Sequence, residues 1–600
     1  MSANEMGRIP DERHIGNGWV IPSEGYCDQP YVVKTDDGAW LCIMTTASGV
    51  EGASGQHIVS ARSTDRGKTW SELVDVEPSD GPEASYAVIM KVSSGRVYAF
   101  YNHNTDNVRR VKADNPPYTD GYCTRVDSLG HFVFKYSDDG GLSWSAQRYD
   151  IPVREMEIDR QNADGGRLRY FWNVGKPLLT QQAAYVSLHK VGGFGDGFFT
   201  SNEGVLLKSE NILDESDPQK ITWQTLPDGE RGLRAPEGGD TVSSEHSYSL
   251  LSDGSFYCVY RTIDGYPACA YSRDGGHTWS EPEYKKYADG RVVKHPRAAN
   301  FAWRCENGHY LYWYHNHGGR FIREHPQQRG NAYQDRNPVW LCGGVEVDGP
   351  DGKIIHWSQP EIVLYDDDPY VRMSYPDLVE EGGEYYLTET QKDIARVHKL
   401  DKGLLEGLWT QFEGVDIAGE GLVLELKECG PAMLDMPLLP PFNRRGPQSP
   451  YGCQDLRAGF SLDFWLLLES SAAGRVLLDT RLENGQGLMV HYTGNGQLEI
   501  VLNDGRSENR WDCDPGSVGV GKLHHVAIIV DGGPKLICFV VDGRLCDGGE
   551  FRQYGWGRFS PYLREANGGG RLVADGAVQS LRVYGRALRI AEAIAHFRAG

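Results

Sequence analysis

Short runs of alternating hydrophobic and polar residues, separated by turns rich in glycine and aspartate, cover most of the chain. Residues 245–281 show the whole pattern once, with an apolar strand, a turn at Ser252-Asp253-Gly254, a returning strand and a hairpin that ends at Trp279. Alternation with a period of two, interrupted by such turns, is typical of antiparallel β-strands. Convincing amphipathic helices are scarce. The pattern therefore predicts an all-β protein.

An eight-residue motif, S-x-D-x-G-x-[ST]-W, occurs three times, at residues 63–70, 137–144 and 272–279. Its short aspartate side chain can accept hydrogen bonds from turn amides, its glycine permits a positive φ, and its tryptophan offers a large face to the next sheet. We expect these aspartates to hold turns and to take no part in chemistry. The repetition itself indicates a repeat architecture.

Strand–turn–strand units aligned on their turns number six, at residues 27–45, 83–104, 173–190, 245–262, 295–317 and 375–392. Each unit is followed by a tryptophan that we expect to close its hairpin, namely Trp70, Trp144, Trp223, Trp279, Trp357 and Trp409. The uneven spacing excludes a solenoid and is normal for propeller blades that carry loop insertions. We predict a six-bladed β-propeller over residues 15–405, with seven blades as the alternative if the N-terminal segment contains a further unit.

The pattern changes after residue 405. A proline-rich passage at 436–441 precedes new alternating strands at 460–468, 475–479, 498–502, 525–531 and 537–543, and a short capping helix is expected at 587–594. Regular strands with Gly/Asp turns predict a β-sandwich of the jelly-roll type. The predicted domains are an N-terminal extension (1–14), the propeller (15–405), a linker with the first sandwich strands (406–455) and the sandwich (456–600).

Composition and charge limit the function. The formal net charge of −22 argues against nucleic acid as a partner. The N-terminus lacks an apolar leader and no run could span a bilayer, so no membrane partner is expected. The twelve scattered cysteines predict reduced, mostly buried thiols and a cytoplasmic location, although a secreted protein that had lost its leader would look the same.

Chemistry in a propeller is expected where first strands begin and second strands end, because those ends converge on one face. The strand starts supply Asp28, Glu83, Asn173, Lys176, Glu245, His246, Arg297 and Tyr375. The strand ends supply Asn102, His103, Asn104, His189, Lys190, Tyr260, Arg261, His315, His317, Glu389 and Lys392. Carboxylates, imidazoles, phenols and guanidinium groups together are the composition of a sugar-cleaving site.

The motif copies and the propeller layout resemble the sialidase (neuraminidase) superfamily over residues 15–405. In that family a glutamate and an arginine share a blade, as Glu245 and Arg261 do, a further arginine follows at the place of Arg297, and a tyrosine opens the last blade, as in Tyr375-Pro376-Asp377-Leu378. The resemblance implies that Glu245 takes the phenolic proton while Tyr375 attacks an anomeric carbon. Residues 456–600 resemble laminin-G/concanavalin-like domains, notably at His524-His525-Val526-Ala527 and Val541-Asp542-Gly543.

Two positions depart from the sialidase pattern. The first blade begins Cys27-Asp28-Gln29-Pro30 where sialidases have Arg-Ile-Pro, so an acid replaces one arginine of the carboxylate-binding triad. The acid/base aspartate expected after the first blade is not obvious, and Glu51 is the nearby carboxylate. Losing a bidentate clamp should weaken the binding of sialic acid. We therefore expect a sialidase-like retaining glycoside hydrolase that acts on another glycan.

The convergence of the strand ends and the resemblance to sialidases together give the predicted site. The catalytic residues are Tyr375, Glu245, His103 and Glu51, and the substrate contacts are Arg261, Arg297, Asp28, His189, His246, Tyr260, His315 and Lys392. No cofactor and no metal are expected, and the partner is an oligosaccharide or polysaccharide.

Two alternatives stay open. A polysaccharide lyase would neutralise a uronate with Arg261 or Arg297 and remove the C5 proton with His103 or Tyr260. A non-catalytic glycan-binding protein would use the propeller as a platform and the sandwich as a lectin; the sandwich could equally serve only for packing.

Overall fold

A computed structural model describes residues 10–125, 127–442 and 458–600, and strands dominate it. The helices are short: Glu157–Gln161, Arg320–Glu324, Arg329–Gln334, Lys402–Thr410 and Ile590–Ala599, with 3-10 turns at Ile15–Asn17, Pro218–Lys220 and Pro326–Gln328. The prediction of an all-β protein is confirmed. Over these described ranges, each helix is too short or too polar to cross a membrane.

Six separate antiparallel sheets contain most of the strands of residues 19–399. The first contains Tyr26–Lys34, Trp40–Ala47, His57–Ser63 and Val74–Glu77. The second contains Ala84–Lys91, Val97–His103, His131–Ser137 and Tyr149–Asp150. In the third, Phe171–Trp172 and Leu178–Leu179 both pair with Ala184–Gly195, which is followed by Phe198–Ser209 and Gln224–Leu226.

The remaining three sheets follow the same plan. The fourth contains Ser244–Leu250, Phe256–Arg261, Ala268–Ser272 and Glu283–Tyr284. The fifth contains Phe301–Arg304, Tyr310–Tyr314 and Val339–Gly349, and the last of these pairs with both Gly352–Trp357 and Glu361–Leu364. The sixth contains Ser374–Glu381, Glu384–Thr390, Ala395–Lys399 and, at its outer edge, Trp19–Ile21. A two-stranded ribbon joins Val111–Lys112 to Tyr122–Cys123.

Each predicted strand–turn–strand unit supplies a hairpin to one of the six sheets. The turns of the three eight-residue motifs share one hydrogen-bonding geometry. Asp65 Oδ1 accepts a hydrogen bond from the Thr69 amide (2.8 Å), and the Ser63 hydroxyl accepts one from the Gly67 amide (2.8 Å). Asp139 and Asp274 accept the equivalent bonds from the amides four residues later. These aspartates therefore hold turns.

The prediction that Trp409 closes a hairpin is wrong. Trp409 lies in the helix Lys402–Thr410, and its indole donates to the Tyr310 carbonyl (2.8 Å). Leu404, Leu408 and Trp409 are buried on one face of this helix, and Asp401 caps its first turn by accepting from the Leu404 amide. This helix runs across the boundary predicted at 405.

The C-terminal part contains two larger antiparallel sheets. One comprises Leu422–Leu426, Val578–Tyr584, Gly459–Leu467, Leu523–Asp531, Leu536–Val541, Arg544–Leu545 and Gly557–Arg558. The other comprises Ala432–Asp435, Arg571–Ala574, Arg475–Asp479, Gly487–Gly494, Gln497–Asn503 and Glu508–Asp512. Their facing side chains form one buried apolar cluster, as expected of a sandwich. All five predicted strands are present; the terminal helix begins at Ile590, three residues later than predicted, and residues 443–457 of the predicted linker and sandwich lie outside the described ranges.

A hydrophobic cluster joins the sandwich to the fourth and fifth sheets. It includes Trp340 from the fifth sheet and Trp556 and Ile594 from the C-terminal part. The eleven cysteines among the described residues are all buried, which agrees with the prediction for them, and Cys453 lies outside the described residues.

One carboxylic acid is buried at this interface. Glu361 is 5% exposed, and its Oε1 accepts a hydrogen bond from the Ala591 amide at the start of the terminal helix (2.8 Å). Burial raises the pKa of Glu361 to about 7, although backbone amides of Ala591 and Ile590 act in the opposite direction. The folded protein thus binds this proton more tightly than the unfolded chain does.

We predict that Glu361→Gln flattens the pH dependence of stability. The wild-type free energy of unfolding should fall by about 3 kcal/mol as the pH rises from the ordinary glutamate range through about 7, because the interface must then hold a buried charge. Thermal unfolding between pH 5 and 8 measures the difference. The exposed Glu413→Gln serves as a control, and parallel profiles for wild type and Glu361→Gln would contradict the assignment.

Candidate active site

Four of the six sheets begin with the same backbone irregularity. Their first strands bulge against the second strands, and each bulge holds a non-glycine residue at positive φ: Gln29 (55°), Tyr86 (60°), Glu245 (57°) and Tyr375 (47°). A bulge redirects one side chain out of the regular alternation of the strand. Such a conformation costs roughly 1–3 kcal/mol at a non-glycine residue, and strain of this kind clusters at functional sites.

Glu245 and Tyr375 meet in a buried centre with Arg261. The Tyr375 hydroxyl donates to Glu245 Oε1 (2.8 Å), and Arg261 Nη1 lies 2.8 Å from each carboxylate oxygen of Glu245. All three residues are buried: Tyr375 is 4% exposed, Glu245 is 1% exposed and Arg261 is 7% exposed. Burial, with the charge of Glu245 adding to it, raises the pKa of Tyr375 well above its usual value. The phenol is therefore protonated at rest, with a carboxylate in place to accept its proton.

A chain of alternating charges runs beside this centre. Lys392 Nζ lies 2.6 Å from Asp28 Oδ2 and 3.2 Å from Glu51 Oε2. Arg125 Nη2 continues the chain, 3.2 Å from Glu51 Oε1 and 2.6 Å from Asp127 Oδ2. Lys392 Nζ also lies 4.5 Å from the centroid of the Tyr375 ring. The acid at position 28 is thus balanced by a lysine from the end of the same unit that begins with Tyr375.

The two carboxyls of this chain differ in their proton affinity. Burial raises the pKa of Asp28, with Lys392 opposing it. Burial also acts to raise the pKa of Glu51, but Lys392 and Arg125 outweigh it and hold that pKa at about 2. Glu51 is therefore ionised in this arrangement, whereas a general acid must carry a proton at the working pH. Its catalytic role stays a prediction.

Arg297 lies buried without a carboxylate partner among the described residues. Its Nη2 donates to the Phe199 carbonyl (2.9 Å), and an added Cβ at Gly197 would collide with its guanidinium group. Burial and the neighbouring Arg261 lower the pKa of Arg297 to about 9. A buried guanidinium without a counter-ion is suited to binding a polar or anionic ligand.

Three predicted substrate contacts lie beside the start of the Glu245 strand, namely His189, His246 and Tyr260. His189 Nδ1 accepts from the Glu245 amide (3.4 Å), and the His246 ring stacks on Tyr260 at 4.5 Å. The Tyr260 hydroxyl donates to the Arg234 carbonyl (2.8 Å). Burial lowers the pKa of His246 to about 3 and that of His189 well below its usual value. These neutral rings support the Glu245 strand without adding charge.

The other two predicted histidines make contacts elsewhere. His315 stacks with His295 at 5.8 Å, and its amide donates to His295 Nδ1 (3.2 Å). His103 Nδ1 bonds with the Thr105 hydroxyl (2.8 Å), and burial and Arg148 lower its pKa to about 4. Within the described ranges we find no contact of His103 with Glu245 or Tyr375. The structure does not bring His103 to the central pair.

Sequence reasoning missed several groups at this centre. Arg336, buried, donates through Nη1 to the Ser374 hydroxyl, and its guanidinium lies 4.5 Å from the Tyr333 ring; Arg261 lies 5.7 Å from the same ring. Tyr333 and Arg336 belong to a long insertion after the strand Tyr310–Tyr314. The repeat pattern of the sequence does not extend into this insertion, so it could not predict where these two side chains lie. Tyr86, whose hydroxyl donates to Asp127, was hidden by its bulge.

We predict that Lys392→Met destabilises the protein and that Asp28→Asn in the same chain restores most of the loss. The single change leaves a fully buried carboxylate without its cation, which costs roughly 3–5 kcal/mol. Thermal and urea unfolding of the single and double variants measure the effect. Lys399→Met, which removes a largely exposed ion pair with Glu384, is the control. Equal losses in the single and double variants would refute a compensating pair.

Comparison with known proteins supports two resemblances. Residues 448–593 match the family profile of the concanavalin A-like lectin/glucanases superfamily. A sialidase from Micromonospora viridifaciens is 25% identical over 259 residues, which are 42% of this chain and 35% of that relative's own length.

Solved structures of sialidases also match. The intramolecular trans-sialidase of Ruminococcus gnavus covers 66% of this chain and 99% of its own, with 14% identity and a TM-score of 0.45. The Trypanosoma rangeli sialidase covers 98% of this chain and 97% of its own, with 14% identity and a TM-score of 0.41. The predicted resemblance to sialidases and the concanavalin-like character of the C-terminal part are confirmed by the sequence relative and the family match.

Proposed function

We propose that the protein is a retaining glycoside hydrolase in which Tyr375 is the nucleophile and Glu245 its base. The observation that carries this proposal is the 2.8 Å hydrogen bond from the Tyr375 hydroxyl to a buried Glu245 carboxylate that Arg261 holds through both oxygens. A tyrosine nucleophile paired with a carboxylate is a recognised exception to the usual pair of glycosidase carboxylates. The sialidase relative supports the same class of reaction.

The proposed reaction has two steps. The Tyr375 oxygen forms a bond to the anomeric carbon while its proton passes to Glu245 and the glycosidic oxygen leaves with a proton from an acid. Water then attacks the anomeric carbon and gives one proton to the deprotonated acid, the bond to Tyr375 breaks, and Glu245 returns its proton to the phenolate. Of the two carboxyls joined through Lys392, Asp28 is the one from which we expect the leaving group to receive its proton, because burial raises the pKa of Asp28 whereas Lys392 and Arg125 hold Glu51 ionised.

The scaffold we propose is a ring of the six sheets, a six-bladed propeller. Contacts between neighbouring sheets support it: Ser187 of the third sheet donates to the His246 carbonyl of the fourth (3.0 Å), and the Val32 amide of the first sheet donates to Asp377 Oδ2 of the sixth (2.8 Å). The hydrogen bond between Tyr375 and Glu245 joins the sixth sheet to the fourth. In such a ring, bulges at the strand starts would direct Glu245 and Tyr375 towards one axis.

The substrate we propose is an oligosaccharide or polysaccharide whose cleaved sugar is not sialic acid. Asp28, in the place of a triad arginine, is neutralised by Lys392 and offers no cation to a carboxylate. Arg261 Nε, Arg297 Nε and Arg336 Nη2 are buried and lack hydrogen-bond partners among the described residues. Buried polar atoms without partners mark positions for water or for a hydroxyl-rich ligand.

Product analysis by mass spectrometry tests the proposed reaction and substrate. Incubation with a panel of acidic and neutral glycans, including sialyllactose, should give products that have gained one water, with sialyllactose cleaved more slowly than the preferred glycan. NMR should show that the first-formed product keeps the anomeric configuration of the substrate. An unsaturated uronate that absorbs ultraviolet light would indicate elimination, and sialyllactose as the best substrate would refute the substrate proposal.

We predict that Tyr375→Phe reduces turnover by roughly a thousandfold or more while the midpoint of thermal unfolding barely changes. The substitution removes only the attacking oxygen, and Glu245 keeps its bond to Arg261. Tyr385→Phe, in the same sheet, is the matched control and should keep full activity. Near-normal turnover by Tyr375→Phe would exclude the nucleophile assignment.

A further inference from the structure

Two segments from different parts of the chain meet beside the candidate site. One is the insertion, residues 315–337, between the strands Tyr310–Tyr314 and Val339–Gly349 of the fifth sheet. The other is the sandwich loop, residues 546–556, between the strands Arg544–Leu545 and Gly557–Arg558. The insertion carries Tyr333 and Arg336.

The sandwich loop holds the insertion through a set of polar contacts. The Tyr554 hydroxyl donates to Asp335 Oδ2, and the Tyr554 ring lies 4.9 Å from the ring of His317. His317 Nε2 lies 2.7 Å from the Asp335 carbonyl oxygen. The Gly318 amide donates to the Gln553 carbonyl (3.0 Å). Both ends of the insertion are therefore bound to one loop of the other unit.

The same loop wraps around Lys294, three residues before Arg297. Lys294 Nζ donates to the carbonyls of Asp547 (2.7 Å), Gly549 (2.5 Å) and Arg552 (2.9 Å). These bonds satisfy all three donors of the ammonium group. Lys294 is only 5% exposed, so losing them would leave a charge buried without partners. The loop thus fixes the backbone that leads to Arg297.

From the insertion, contacts continue to the centre. Arg336 directly follows Asp335 and donates to the hydroxyl of Ser374, the neighbour of Tyr375 in the chain. The centroid of the Tyr333 ring lies 4.5 Å from the guanidinium group of Arg336 and 5.7 Å from that of Arg261. A displacement of the insertion would therefore also displace the side chains that surround Tyr375.

We propose that the sandwich loop is a positioning element of the active site. By holding Asp335 through Tyr554, it fixes Arg336 and Tyr333 against the centre formed by Tyr375, Glu245 and Arg261, without touching the substrate itself. This inference rests on the proposed glycosidase function. Holding catalytic surroundings in place has a large effect on rate, because a displacement of about 1 Å can reduce turnover by about a hundredfold.

Hydrogen–deuterium exchange on Tyr554→Phe tests whether the loop holds the insertion. The substitution removes one hydroxyl, so the fold should survive, and we expect faster exchange in residues 315–337 with unchanged exchange in the strands of the second sheet. Tyr562→Phe, at an exposed tyrosine of the same unit, is the matched control. Unchanged exchange in the insertion of Tyr554→Phe would overturn the proposal.

Kinetics on the best glycan of the panel test the effect on the site. We expect Tyr554→Phe to lower kcat about 10- to 100-fold with a smaller change in KM. Asp335→Ala, which removes the acceptor, should have a similar effect, and the double variant should lose little more, because both changes break one contact. Wild-type kcat in Tyr554→Phe, or additive losses in the double variant, would refute positioning. A wild type that cleaves no glycan would refute the proposed function and the catalytic part of this proposal, while the exchange result still decides whether the loop holds the insertion.

Discussion

A carboxylate removed from water needs an opposite charge and hydrogen bonds nearby, and the centre of this protein is arranged around that need. Glu245 is 1% exposed, and its two oxygens are bound by Arg261 and Tyr375. An isolated buried charge would be too costly to keep. The contacts that offset the cost of burying the Glu245 carboxylate also place it where it can accept a proton from the Tyr375 phenol. Stability and the proposed chemistry thus depend on one interaction.

Around this carboxylate, the histidines are neutral and the other acids are paired with cations. His189 and His246, behind it, are neutral because burial lowers the pKa of each ring. On the other side, Asp28, Lys392, Glu51 and Arg125 alternate in sign, so each carboxylate lies beside a cation. Although the whole chain carries a formal charge of −22, cations collect here. The net charge of a protein therefore does not predict the charge of its site.

The C-terminal sandwich is part of this arrangement. It shares a buried apolar cluster with the fourth and fifth sheets, and its loop binds Lys294 and Asp335 on the segments that lead to Arg297 and Arg336. Packing against the sheets, one of the two roles open from the sequence, is observed. Contacts of this kind link a separate unit to the geometry of a site that it does not enter.

The sequence by itself determined the strands, the motif turns and the hairpin that holds Glu245 and Arg261, because these depend on residues close together in the chain. It also identified Tyr375 at the start of a strand, although only tertiary contacts brought that tyrosine to Glu245. The bulges that turn Tyr86 inwards, the position of Arg336 in its insertion and the separation of His103 from the pair were decided by the tertiary structure. Each depends on contacts between distant segments, which local alternation and turn chemistry do not encode.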